Sequence, residues 1–307
     1  MRFAAIKKRD GPLYACLLAL FCLAAWGHHA LENTLRAPTL PSSPHRIVSL
    51  APSVTETLYA LGMGDRIVGI TQFCAYPPEV RQKPHVAGFG EVNYEAVVRL
   101  RPDLVVLPQD MERHKKDLES LGLPVLTLDT RSMSGLMNTI EELGNATGHN
   151  NAAHAILAAI NNSLMTAQTR AGETSKPSVL FSVMHSYQGL GYITEINAVG
   201  KDGFYSELIL AAGGNNVYTG ELAFPRLSRE AIIFLNPEVI IDSIPASANL
   251  DAVRRDWQSL ESVSAIKNNR LYLFTDEADT VPGPRFYQTL TKLSHALYPQ
   301  SHPEPVE

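Results

Sequence analysis

Residues 228–242 read SREAIIFLNPEVIID, and residues 93–107 read NYEAVVRLRPDLVVL. At an offset of 135 residues, Glu95 falls on Glu230, Ala96 on Ala231, Leu100 on Leu235 and Pro102 on Pro237, and most remaining pairs are conservative. Each copy opens on a small polar residue, Asn93 or Ser228, where a helix N-cap belongs. A short helical stretch follows, then a proline that stops it, then an apolar β-branched run that reads as a buried strand. A helix–strand unit used twice predicts two related lobes.

The flanking sequence keeps the same alternation. IVSL (47–50), IVGIT (67–71), LVVL (104–107) and VLTLD (125–129) read as buried strands separated by helical stretches. Ser53 and Glu56 have the spacing of a capping box ahead of Leu58 and Leu61. From residue 147 to 171 the alternation stops. Ala153, Ile156, Leu157, Ile160, Leu164 and Ala167 recur at helical spacing, and Gly172 and Pro177 mark the end. Strand signals then resume with VLFSVM (179–184), VIID (239–242) and LYLFT (271–275), and Pro284 suits the start of a closing helix. The predicted fold class is α/β: two lobes, each a mainly parallel sheet with flanking helices, joined by one long rigid helix. The expected boundaries are 46–146 for the N-terminal lobe, 147–172 for the interlobe helix and 177–300 for the C-terminal lobe.

The first 45 residues stand apart. Arg2, Lys7, Lys8 and Arg9 precede the apolar run 13–26, which reads as a secretory signal ending near Gly27 and is short for a membrane span. Residues 28–45 then read as a Pro- and Ser-rich linker. The expected location is the periplasm; Cys16 and Cys22 keep a lipid anchor open, and an uncleaved anchor is a further alternative. Without residues 1–27 the chain keeps 22 basic and 30 acidic side chains, a net charge of −8, and a single cysteine, Cys74, which reads as a buried small apolar residue. The full chain carries −5, so no basic footprint points to nucleic acid.

Glu95 and Glu230 each sit in a first helical turn. One such glutamate needs no explanation beyond the helix dipole. Two at matched places on related lobes make a pseudo-twofold pair, which suits a partner that is itself a twofold dimer. Phe89 and Phe224, matched at the same offset, lie in loops where open α/β sheets bind ligands and would face each other across a cleft. Arg226, Arg285 and His185 are the polar candidates near that mouth, with guanidinium suited to anionic oxygens.

RIVSLAPSVTETLYALG, VGITQFCAYPPEV, NYEAVVRLRPDLVVL, LSREAI and PGPRFYQTL together resemble the periplasmic iron-complex and vitamin B12 binding proteins, substrate-binding components of ABC importers with a rigid helical backbone. The resemblance covers nearly all of residues 45 to 300. It implies that Glu95 and Glu230 dock onto basic residues of an inner-membrane permease dimer. It also implies that Phe73, Phe89 and Phe224 cradle the ligand. The vitamin B12 binders of the family use Tyr and Trp at such places, so a corrinoid is not fixed by these residues. The haem binders place a tyrosine ligand near Phe89, which argues against haem. The expected cargo is an iron- or cobalt-containing chelate, a ferric siderophore ahead of a corrinoid, with no covalently bound cofactor and a monomeric chain.

Two other classes compete. An α/β enzyme lacks support: there is no G-x-S-x-G, P-loop or G-x-G-x-x-G motif. A zinc or manganese binder needs three or four converging ligands, and the histidines are scattered; His149 and His154 are five apart and share a helix face poorly.

Overall fold

The computed structural model describes residue 41 and residues 43–88, 90–172, 175–185, 191–201 and 203–299, without the side chains of residues 184 and 185. The first lobe runs β1 (Ile47–Ser49), α1 (Pro52–Ala60), β2 (Ile67–Thr71), β3 (His85–Ala87), α2 (Tyr94–Arg99), β4 (Leu104–Pro108), α3 (Lys115–Ser120), β5 (Val125–Leu128) and α4 (Met133–Thr147). Its five strands lie in the order β3-β2-β1-β4-β5, every pair parallel. Helix α5 (Asn150–Ala171) leads to the second lobe.

That lobe runs β6 (Ser178–His185), β7 (Glu195–Ala198), α6 (Phe204–Ala211), β8 (Asn215–Asn216), β9 (Arg226–Ser228), α7 (Arg229–Leu235), β10 (Val239–Ser243), α8 (Leu250–Gln258), α9 (Ser264–Lys267), β11 (Leu271–Phe274) and α10 (Phe286–Leu297). The strand order is β11-β10-β6-β7-β9, with β8 beside β6. Strand β10 is parallel to both β6 and β11, whereas β7 runs antiparallel to its neighbours β6 and β9. Mostly parallel strands flanked by helices are what the sequence predicts; the reversed β7 and the short β3 and β9 are additions to it.

The repeat holds to the level of single hydrogen bonds. Asn93 Oδ1 accepts the Ala96 N–H at 2.9 Å, and Ser228 Oγ accepts the Ala231 N–H at 3.3 Å. Arg101 (φ 47°) and Asn236 (φ 45°), again matched, both turn left-handed to close the helix before the proline. Asp103 accepts the backbone N–H groups of His45 and Arg46 at 2.8 Å each, and its counterpart Glu238 accepts the Ser178 N–H at 2.7 Å. In each lobe the acid of the repeat therefore anchors the start of the neighbouring central strand.

Burial follows the same register, because side chains alternate across a strand. Leu104 and Val106, with their counterparts Val239 and Ile241, enter one apolar core that also takes in Ala153, Ile160 and Ala167 of α5 and residues of both lobes. Val105 and its counterpart Ile240 face the outer cores, one per lobe, where Val97 of α2 and Ile232 of α7 pack. The lobes thus share a single apolar interior across α5.

Two local expectations are corrected. Ser53 and Glu56 form no capping box: Ala51 is the N-cap of α1, Pro52 occupies its first turn, and Glu56 is buried in an ion pair. The interlobe helix begins at Asn150 rather than at 147, because Gly148 (φ 74°) ends α4 in the left-handed conformation. Among the described residues no helix is long and apolar enough to cross a membrane.

Candidate functional site

Parallel strands deliver their carboxyl ends, and the loops that follow them, to one edge of each sheet. Between the two lobes those loops enclose a cleft. From the first lobe come Asp110, just beyond β4, and Asp129, Thr130, Arg131 and Ser132, just beyond β5. From the second come Val199, Gly203, Phe204, Tyr205, Glu207, Ala223, Phe224 and Pro282, around a cavity of about 570 Å³. A second cavity of about 380 Å³ shares Tyr205 and Phe224 and adds Val183, Asn197 and Thr280. Phe224 is half exposed and stands in the wall of both.

Among the described residues the charged lining is acidic: three carboxylates to one guanidinium. Arg131 donates to Asp129 from Nε at 3.2 Å and from its backbone N–H at 3.1 Å, which holds the Asp129 carboxyl below its usual range. Glu207 Oε2 accepts the Met133 N–H at 2.7 Å, a bond that crosses from the second lobe to the first turn of α4. Asp110 is exposed. The Tyr205 phenol is buried, which pushes its pKa well up and keeps its proton on. Among the described residues its hydroxyl has no hydrogen-bond partner, and its ring packs edge-on against Phe181 and Phe204.

Of the residues named from sequence, Phe224 is in the cleft. Phe73 is half exposed after β2 but lines neither cavity. Phe89 and the side chain of His185 lie outside the described residues. Arg226, on β9, is exposed and ion-paired with Glu195 of the adjacent strand. Arg285 is not offered to a ligand. Its Nε and one terminal nitrogen donate to the two oxygens of Glu56, both at 2.9 Å, and its guanidinium lies 3.6 Å over the Tyr76 ring. Glu56 is on α1 and Arg285 caps α10, so the pair ties the two lobes together. Burial raises the Glu56 carboxyl above its usual range, against the pull of Arg285. A second, exposed tie runs from Arg81 to Glu277 at 3.2 Å.

Sequence reading missed Asp110, Asp129, Arg131, Tyr205 and Glu207. The first three were within reach, since Asp129 closes the strand read as 125–129, and Asp110 and Arg131 lie within three residues of the ends of the strands read as 104–107 and 125–129, where open sheets hold ligands. Tyr205 and Glu207 gave no such signal, because they sit within a helix whose apolar pattern reads as core.

Glu95 and Glu230 are both exposed in the first turns of α2 and α7. Helix α2 leads back into β4, and α7 into β10. Both helix N-termini therefore lie toward the carboxyl edges of their sheets, the edges that bound the cleft. Cys74 is buried, its Sγ 3.1 Å from Thr55 Oγ1 and 3.3 Å from Thr71 Oγ1. Among the described residues no group of three or more His, Cys, Asp or Glu is placed to hold a metal ion.

A family model described as periplasmic binding protein matches residues 47–278. An uncharacterized ABC transporter substrate-binding lipoprotein of Bacillus subtilis is 30% identical, spanning 97% of this chain and all of the relative. A protein of Halobacterium salinarum described as cobalamin-binding is 29% identical over 85% of this chain and 72% of its own length. Among solved structures, a periplasmic haem-binding protein from Pseudomonas aeruginosa is 25% identical with a TM-score of 0.72, covering 85% of this chain and 95% of that one.

Proposed function

The chain belongs to the periplasmic binding protein family, and from that premise we propose that its interlobe cleft captures a neutral or cationic metal chelate, a corrinoid ahead of an anionic ferric siderophore, for delivery to an ABC permease in the inner membrane. The observation that carries the choice of cargo is the acidic lining of the cleft. With Asp129 paired to Arg131, Asp110 and Glu207 would repel a chelate bearing carboxylate or catecholate charge. The arginines that would have favoured such a cargo are engaged elsewhere, Arg285 with Glu56 and Arg226 with Glu195. A corrinoid is uncharged over most of its rim and offers broad apolar faces to Phe224, Phe204 and Pro282. The likeness to a relative described as cobalamin-binding supports the same cargo. Haem fits less well: its carboxylates meet the acidic wall, and Phe89 has no atom that could ligate iron.

Delivery rests on Glu95 and Glu230, the exposed acids that the repeat places alike on the two lobes. No chemistry on the cargo is assigned to the protein. The test is a set of absorbance and fluorescence titrations with cyanocobalamin, haem, a ferric hydroxamate and a ferric tricatecholate. Binding of cyanocobalamin with exclusion of the tricatecholate supports the reading; preference for the tricatecholate overturns the choice of cargo. The docking arm uses Glu95→Ala with Glu230→Ala. The double variant should lower uptake while leaving ligand affinity intact, and lost ligand binding would instead place the acids in the cleft.

A further inference from the structure

The matched acidic corners are not equal, and the difference lies three and four residues along each helix. Residues at those spacings share a helix face. On α2 the face of Glu95 carries Val98 and Arg99; on α7 the face of Glu230 carries Ile233 and Phe234. Val98 and Ile233 are matched by the 135-residue offset and are 43% and 38% exposed. Phe234 replaces Arg99 and is 88% exposed, the most exposed of the large apolar residues among those described. Arg99 donates to Glu95 at 2.7 Å, both side chains well exposed. Among the described residues Glu230 has no ion-pair partner. It accepts from its own backbone N–H and from Ser228 Oγ, the latter at 2.8 Å, and these bonds hold its carboxyl below the usual range. The neighbouring Arg229 is turned away, donating to Ser259 O at 2.5 Å and Ser259 Oγ at 2.8 Å.

Resting on the transport reading, we infer that the corner of the second lobe, Glu230 with Ile233 and Phe234, is the primary docking contact, and that it fits a basic, partly apolar loop of the permease. A cation bonded to Glu95 offsets the field that a basic partner would feel there, and that field sets encounter rate. An exposed aromatic beside an unpaired carboxylate has both parts of an anchor: apolar area to bury and a charge to orient it. The first-lobe corner then completes the contact after Arg99 swings aside, a small step because an exposed ion pair at that spacing is weak.

The test uses cells deleted for the chromosomal copy and complemented with each variant, fed radiolabelled cyanocobalamin, with affinity of each purified variant measured by titration. Glu230→Gln and Phe234→Ser should each lower uptake about tenfold, Glu95→Gln about twofold or less, and Arg99→Gln should raise it, all at unchanged affinity. Equal losses in Glu95→Gln and Glu230→Gln, or a larger loss in Glu95→Gln, overturn the inequality and leave the transport reading standing. Loss of affinity in Phe234→Ser overturns the docking assignment. No uptake by an unaltered chain that binds cyanocobalamin in titration overturns the transport reading, and this inference with it.

Discussion

At the start of the closing helix, Glu56 and Arg285 meet as a largely buried pair whose two members come from opposite lobes. Removing one member of a buried pair leaves an uncompensated charge, so Arg285→Met should lower unfolding stability at neutral pH by about 3–5 kcal/mol, measured by urea denaturation. The pH dependence has a definite sign. A carboxyl whose pKa is raised on folding binds its proton more tightly in the folded state. Its contribution is therefore greatest at low pH and falls as pH rises through the raised value. Without Arg285 the shift grows, so the variant should recover stability on acidification toward the ordinary carboxylate range. Phe224→Ala makes a contrasting case, because Phe224 is half exposed in the cleft wall. Its stability should stay within about 0.5 kcal/mol of the parent, while ligand affinity falls about tenfold. The sequence led to Phe224 because its twin at position 89 marked it. It misled on Arg285 because the partner that engages the guanidinium lies 229 residues away.

Helix and strand follow local rules, and there the sequence was most informative. The repeat carries its own N-cap, stop and strand, all set by neighbours within about fifteen residues. Asn93→Ala and Ser228→Ala should each lower stability by about 0.5–2 kcal/mol, and by similar amounts, since the two caps make the same bond. Arg101→Gly should instead raise it by up to about 1 kcal/mol, because a left-handed conformation strains a residue with a Cβ. Asn236→Gly should gain less, since asparagine tolerates that conformation. Urea midpoints test all four variants. The reversed β7 and the short β9 were not legible. Their pairing, Glu195 against Ser228 and Asn197 against Arg226, joins segments about thirty residues apart that carry no strong strand pattern of their own. Ser53 and Glu56 show the opposite failure, a local motif overridden when Glu56 turned inward to a distant arginine.

At the scale of the molecule, α5 does more than connect. Its inward residues complete an apolar core common to both lobes, and the Glu56–Arg285, Arg81–Glu277 and Glu207–Met133 contacts reinforce the junction. Such a frame allows a small closing motion, so solution scattering with and without ligand should show a change in radius of gyration of about 1 Å or less; a large compaction would contradict a rigid frame. The two-lobed plan was legible because periodicity and the repeat are spread along the whole chain. The charge of the cleft was not, because it is a sum over loops that only folding brings together. That sum is the centre of the functional account, and the most direct measurement of it is a competition titration of the protein with cyanocobalamin and a ferric tricatecholate. The account predicts saturable binding of cyanocobalamin, weakened in Phe224→Ala and unmoved by the tricatecholate; displacement of cyanocobalamin by the tricatecholate, or binding of neither, would contradict it.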